Sequence, residues 1–426
     1  MMPALDKTIA DRIAADRGLW QDFNDICDCG GRLAGTDSER KAFALLRERV
    51  HAASPANAGR SIPVPYGGWR ARRAMLRLGD GTMAACHPLV RTIATPRDGL
   101  TAEVVDLGRG TPEEFDAHAR DLEGRIALVR HELMFAAGTI HRRRKYDMAR
   151  ARGAVGFLIA GPLPGELVAG SSGREGGEGI PALGIAPETA ARLARRADGW
   201  STASMIIETQ ESPAETETLV YDYPGRTGDW VVLSAHVDGH DLAESAMDNG
   251  TGLAAVLAVT RALAPEVARF RRGLRVMFFS VEEWALTGSA QYVKALSPVD
   301  RDRIALNVNL DSVAGSSDLA ALTSGYAGVE PFLLDIAAAN GQRLRTVRPL
   351  MTNSDHANFA LGGIPAIRLV AGFDDPAANL RLVLTPDDTR DKVEEADLRR
   401  ATMLTAAIVA AACEADPAAA ATWRRS

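Results

Sequence analysis

After about Thr218 the chain alternates apolar strand-like runs with helical patterns. That alternation predicts an α/β fold: a mostly parallel sheet with helices on both faces. Two further observations support it. The candidate strands, residues 231–235, 274–280, 304–310 and 366–370, are near-continuous apolar runs, as expected of strands buried on both sides. Between residues 81 and 201 the pattern shifts to shorter β-like runs punctuated by glycine, which predicts a smaller, β-rich α/β unit inserted into the first.

Residues 7–23 read as one amphipathic helix. A glycine-punctuated loop follows at 29–36, and Thr36 or Asp37 can cap a helix running to about Val50. Residues 52–68, rich in Pro, Gly and Ser, read as a connection. In the inserted unit, residues 103–107, 125–129 and 153–159 read as strands, 145–152 as a helix, and 161–179 as a mobile glycine-rich loop. A last strand at 180–185 precedes a helix from about Pro187. No cluster of catalytic residue types stands out in this unit. Helical patterns at 253–263, 286–296 and 332–339 separate the strands of the main unit, and the Ala-rich run 404–413 reads as a buried helix.

The chain has 426 residues, 46% hydrophobic and 24% charged, which suits a globular protein of two or three domains. A net charge of −6 argues against nucleic-acid binding through a broad basic surface. The run Arg142, Arg143, Arg144, Lys145 reads as a solvated helix face. No apolar stretch is long enough to span a membrane, and no signal-peptide pattern opens the chain. Of the four cysteines, Cys27 and Cys29 are too close for an ordinary disulfide. These features predict a cytoplasmic protein.

The chemistry concentrates at strand ends. The run beginning at Trp230 ends in His236 and Asp238, and Asp248 follows at a turn before a helix. The next strand ends in Glu282 and Glu283, and the next in Asp311. Taken singly, each has a bland reading, a polar loop residue or a helix cap. Three successive strands each delivering an acid or imidazole to one sheet edge is a stronger pattern, because ligands bind at that edge of open α/β sheets. Two zinc ions ~3.5–4 Å apart can clamp both sides of a hydrolysis. Asp248 suits a bridging ligand, with His236 and Asp311 on one ion and Glu283 on the other. Adjacent Glu282 and Glu283 point differently, so one can ligate while the other shuttles a proton. Asp238 can orient the His236 ring from behind.

These segments resemble the zinc metallopeptidases of family M28, the aminopeptidase and glutamate-carboxypeptidase-like group. The resemblance rests on residues 31–36, Ala235-His236-Val237-Asp238, residues 246–252, Glu282-Glu283 with residues 285–289, Asn309-Leu310-Asp311, and Ser354-Asp355-His356 with Phe359 and residues 363–365. Residues 124–129 and 145–159 are similar to a protease-associated domain. The resemblance implies residues 1–80 and 206–426 as the peptidase domain and 81–205 as the insertion. It implies Glu282 as general base, Asp248 as bridge, and His236, Asp311 and Glu283 as ligands. It further implies one or two zinc ions and a peptide or aminoacyl substrate. Oligomeric state is left open.

One position departs. In Val383-Leu384-Thr385-Pro386-Asp387-Asp388-Thr389, Leu384 stands where the family has a His ligand. His356, the last histidine of the chain, is either a replacement donor or a substrate-binding residue. The expected activity is zinc-dependent exopeptidase hydrolysis. The alternatives are a non-catalytic binding or scaffold relative on the same fold and, lower, a single-zinc aminoacyl cyclotransferase.

Overall fold

The computed structural model describes residues 4–174, 176–195 and 199–425. Residues 175 and 196–198, inside the expected inserted unit, lie outside the described residues, as does residue 1 to 3 of the helix-like start.

The centre of the molecule is three parallel strands. Trp230–His236 lies between Gly273–Phe279 and Ile304–Leu310, with Phe279 opposite His236 and Asn309 opposite Ser234. Ala366–Ala371 continues the parallel set beyond Ile304–Leu310. Leu319–Leu322 then pairs antiparallel with it, and Arg345–Val347 closes that edge. Neither of these last two strands stands out in the sequence.

Alternation along the central strand explains the two helical layers. Val231, Leu233 and Ala235 pack on one side, with the helices Gly252–Leu263 and Glu395–Glu414. Val232 packs on the other side with Met277, Tyr292, Val293 and Phe359, from the helices Thr287–Ala295 and His356–Leu361. Gly252–Leu263 is apolar almost all round because further helices, among them Gly18–Asp28, cover its outer side.

Three expectations are corrected here. The single helix over 7–23 is two, Lys7–Ala15 and Gly18–Asp28, because Asp16 turns the chain and its carboxylate accepts from Gly18 N at 2.8 Å. Residues 52–68 are not a simple connection. From Arg60 they enter a long strand, Arg60–Leu78, paired antiparallel with Thr202–Tyr223. Pro63 and Pro65 are tolerated because this strand is an edge. The basic run is only in part a solvated face: Arg144 is exposed, but Arg142 and Lys145 are buried in the helix Arg142–Ala151.

The inserted unit carries the parallel strands Leu100–Asp106, Ile126–Arg130, Gly156–Ala160 and Ala182–Ile185, with Cys86–Pro88 antiparallel at the end. Thr202–Tyr223 pairs with Leu100–Asp106 near its start and with Gly273–Phe279 near its end, so one sheet runs through both units. The middle of the loop, residues 168–174, is packed: Val168, Ala169 and Ser172 are fully buried, and Ala169 N donates to Leu384 O at 2.8 Å. The four cysteines are unpaired. Among the described residues no helix is long and apolar enough to cross a membrane.

At the junction of ribbon and core, Arg275 holds Asp222 with bonds of 2.6 and 3.0 Å and Tyr292 Oη at 2.9 Å, and it stacks on Trp230 at 4.7 Å. Burial opposes ionisation of Asp222, but Arg275 and Arg60 outweigh it and keep its pKa below the usual value. This contribution is present above the ordinary carboxylate pKa and is lost as pH falls through the depressed one. Arg275→Ala should cost ~1.5–3 kcal/mol in urea unfolding at neutral pH. The difference from wild type should shrink in acid as Asp222 protonates; a pH-independent difference would contradict the assignment.

Candidate metal centre

The register of the three central strands decides the site. Because they are parallel and in step, His236, Glu282 and Asp311 emerge at the same edge. The three offer ligand atoms lying within 4.8 Å of one another. His236 is fully buried. Its Nδ1 lies 2.9 Å from the Asp238 carbonyl oxygen, so that nitrogen donates and Nε2 is left facing the acids. Nε2 is 3.1 Å from Asp248 Oδ1 and 3.7 Å from Asp311 Oδ1. Yet neither Nε2 nor Asp248 Oδ1 makes an aligned hydrogen bond. They converge on a common point rather than on each other, which suits a shared cation.

Asp238 meets the His236 ring through its backbone, and its side chain has a second task. Its backbone carbonyl holds the ring, while its carboxylate, 3.9 Å from Nδ1, accepts from Glu282 N at 3.0 Å and Glu283 N at 3.1 Å. It therefore fixes the backbone carrying both glutamates. Asp248 sits in the turn over Ala246–Thr251. Asp388 accepts from Met247 N at 2.7 Å and Asp248 N at 3.3 Å, and Asn249 Nδ2 donates to Leu310 O at 2.8 Å. Arg368 pairs with Asp311 at 3.1 Å, both side chains nearly inaccessible.

The electrostatics point to a positive charge. Burial, and then mutual repulsion, pushes Glu282 well above its ordinary pKa; His236 opposes this. Burial and the charge of Asp248 raise Glu283 to about 8. Burial raises Asp238 and Asp388 to about 7. Asp311 is the exception: burial would raise it, but Arg368 and His236 hold it well below the usual range. Crowded buried carboxylates with one imidazole are the donor set of a hard or borderline divalent cation.

Other residues stand apart from this group. His356 is fully buried, its ring nitrogens make no aligned hydrogen bond among the described residues, and burial lowers its pKa to about 3, with Arg368 adding to the effect. Leu384 is buried in the wall of the cavity that Asp248, Glu282, Glu283 and Asp311 also line. That cavity holds about 450 Å³. The inserted unit also lines it, through Phe135, Arg142 and Ser171 among others. Phe135 lies 5.0 Å beneath the Arg368 guanidinium, and its carbonyl accepts from Asp374 N at 2.8 Å. The inserted unit thus lines the cavity, although no cluster of catalytic residue types stands out in it. His240 was also missed: it is fully buried, among the described residues both ring nitrogens lack a hydrogen-bond partner, and Asp248 is among its charged neighbours.

The family model for peptidase family M28 matches residues 218–409, which carry every residue of this cluster, and the PA domain model matches residues 88–193. Residues 218–409 form a peptidase family M28 domain. Among its relatives, the probable lipoprotein aminopeptidase LpqL of Mycobacterium tuberculosis is 27% identical over 396 residues, covering 87% of this chain and 75% of that protein. The aminopeptidase YwaD of Bacillus subtilis is 25% identical over 391 residues, covering 89% and 81%. The structure of BSAP, described as a zinc aminopeptidase from Bacillus subtilis, shares the fold with a TM-score of 0.72 at 23% identity, over 92% of this chain and 94% of that one.

Asp388 touches no ligand atom directly but fixes the backbone of Asp248. Asp388→Ala should weaken zinc binding ~10–100-fold, the usual effect of removing such a support. Competition with a zinc-chelating dye would measure it, and an unchanged affinity would show that the turn holds its shape without Asp388.

Proposed function

We propose that this M28 peptidase is a zinc-dependent exopeptidase of the aminopeptidase type, acting on peptides or related aminoacyl amides. The observation that carries the reading is the convergence of His236 Nε2, Asp248, Glu282 and Asp311 at the end of three parallel strands. Membership of a peptidase family and relatives named as aminopeptidases support the reaction class, and the zinc named for BSAP matches this donor set.

We assign His236, Asp248 and Asp311 to one ion, with Asp248 and Glu283 toward a second. Zinc, when bound, polarises the scissile carbonyl and lowers the pKa of a water. Glu282 takes the proton from the attacking water at its carboxylate and returns it to the leaving nitrogen. Asp238, through the two backbone N–H groups, keeps Glu282 and Glu283 in their separate positions. Leu384 in the cavity wall supports a single tight site, with the Asp248 and Glu283 side weaker for want of an imidazole.

Residues 1–80 and 206–426 are assigned to the peptidase domain and 81–205 to the insertion. A reducing, cytoplasmic setting is proposed on the four unpaired thiols; the lipoprotein name of the LpqL relative argues for a different address.

Hydrolysis of aminoacyl chromogenic amides, with and without chelator, tests the reading. Glu282→Gln should lower kcat ~10²–10⁴-fold while zinc content stays the same. Loss of zinc together with activity would make Glu282 a ligand instead.

A further inference from the structure

The glycine-punctuated loop over 29–36 has no part in the metal chemistry described above, yet it carries a fully buried arginine, Arg32. The backbone of Arg32 lies in the left-handed region, with φ of +58°, which is uncommon for a residue with a side chain. Ser38 holds it there: its Oγ accepts from Arg32 N at 2.8 Å and donates to Cys29 O at 2.6 Å. A buried cation is costly unless its donors are satisfied. Arg32 satisfies them on four backbone carbonyls. Nε donates to Val237 O at 2.8 Å, Nη1 to Glu244 O at 2.8 Å and Gly30 O at 3.1 Å, and Nη2 to Ser245 O at 2.7 Å.

The choice of carbonyls is informative. Val237 directly follows His236, and Glu244 and Ser245 lead into the turn Ala246–Thr251 that carries Asp248. One rigid, planar fork therefore grips both ends of the loop that joins two residues of the cluster. The two loops also touch along their backbones. At Gly31 a Cβ would lie 1.8 Å from the His240 carbonyl oxygen, so only glycine permits the approach, and Gly239 N donates to Arg32 O at 3.3 Å.

The turn itself sits between opposite charges. The carbonyls of Glu244 and Ser245 face Arg32, while the N–H groups of Met247 and Asp248 face the Asp388 carboxylate. Arg32 is also among the charges that act on Asp388. Donor and acceptor polarise neighbouring peptide units in one direction, so each strengthens the hold of the other.

We propose that Arg32 is a positioning residue for the metal centre, which sets the separation of His236 and Asp248 by clamping both ends of the loop between them. This rests on the zinc assignment above. It gives the N-terminal segment a task in a site formed some 200 residues further on.

The test is zinc affinity of the full chain by dye competition. Arg32→Gly accepts the left-handed backbone and leaves a hole the shape of the lost side chain. Its zinc affinity should fall ~10–100-fold, the usual effect of removing an outer support. Millimolar ethylguanidinium should restore most of that loss, and propylammonium, which has no planar fork, should restore much less. Combined with Asp388→Ala, the loss should be smaller than the product of the two single losses, because both residues hold one turn. Wild-type affinity in a folded Arg32→Gly, independent losses in the double variant, or equal rescue by both cations would overturn the proposal; the last would make Arg32 a filler of space. If Arg32→Gly does not fold, Arg32→Lys decides: affinity about tenfold weaker at an unchanged melting temperature supports the clamp, and wild-type affinity refutes it. If wild type binds no zinc, the metal assignment falls. Amide hydrogen exchange over 237–248 then still reads the clamp, being faster in Arg32→Gly and slowed again by ethylguanidinium; unchanged exchange would refute it.

Discussion

The parallel register of three strands is the constraint on which the rest depends. Phe279 stands opposite His236, and Asn309 opposite Ser234. One residue of slip in either pairing would turn Asp311 or the Glu282 backbone away from the imidazole, because side chains alternate faces along a strand. The register is held from both sides by apolar layers that admit no shift. The acids are thus set by packing elsewhere, and their mutual repulsion is imposed by the fold. A bound cation is what relieves it.

Support for the cluster is divided among residues that do not themselves reach the common point. Asp238 fixes Glu282 and Glu283 through their N–H groups, Asp388 fixes the Asp248 turn, and Arg368 holds Asp311 ionised. Each spends a buried charge on geometry. The inserted unit closes the arrangement: Phe135 stacks under Arg368, Ala169 N donates to Leu384 O, and Arg142 lines the same cavity as the acids. The long ribbon Arg60–Leu78 with Thr202–Tyr223 ties that unit to the central sheet, so the cavity walls belong to one continuous scaffold.

The central strands and the acids at their ends were legible in the sequence because apolar continuity and strand-end polarity are local signals. The ribbon was not. Pro63, Pro65, Gly67 and Gly68 carry loop chemistry, and only the pairing with Thr202–Tyr223, far along the chain, makes them an edge strand. Arg142 and Lys145 read as solvent-facing because helical spacing cannot show that an inserted helix lies against a distant cavity. Arg368 did leave a signal: an arginine inside the apolar strand Ala366–Ala371 needs a buried partner. Asp388 left a weaker one, since nothing local distinguishes it from Asp387 beside it. The division of labour at Asp238, carbonyl to the ring and carboxylate to two N–H groups, depends on tertiary geometry alone.

The most direct test of the account is anomalous diffraction at the zinc edge from crystals of the zinc-loaded protein. The account predicts one strong peak ~2.0–2.2 Å from His236 Nε2 and from carboxylate oxygens of Asp248 and Asp311, with a weaker or no second peak beside Glu283 and Leu384. Zinc bound away from His236, or two equally occupied sites with His356 as a ligand, would contradict it.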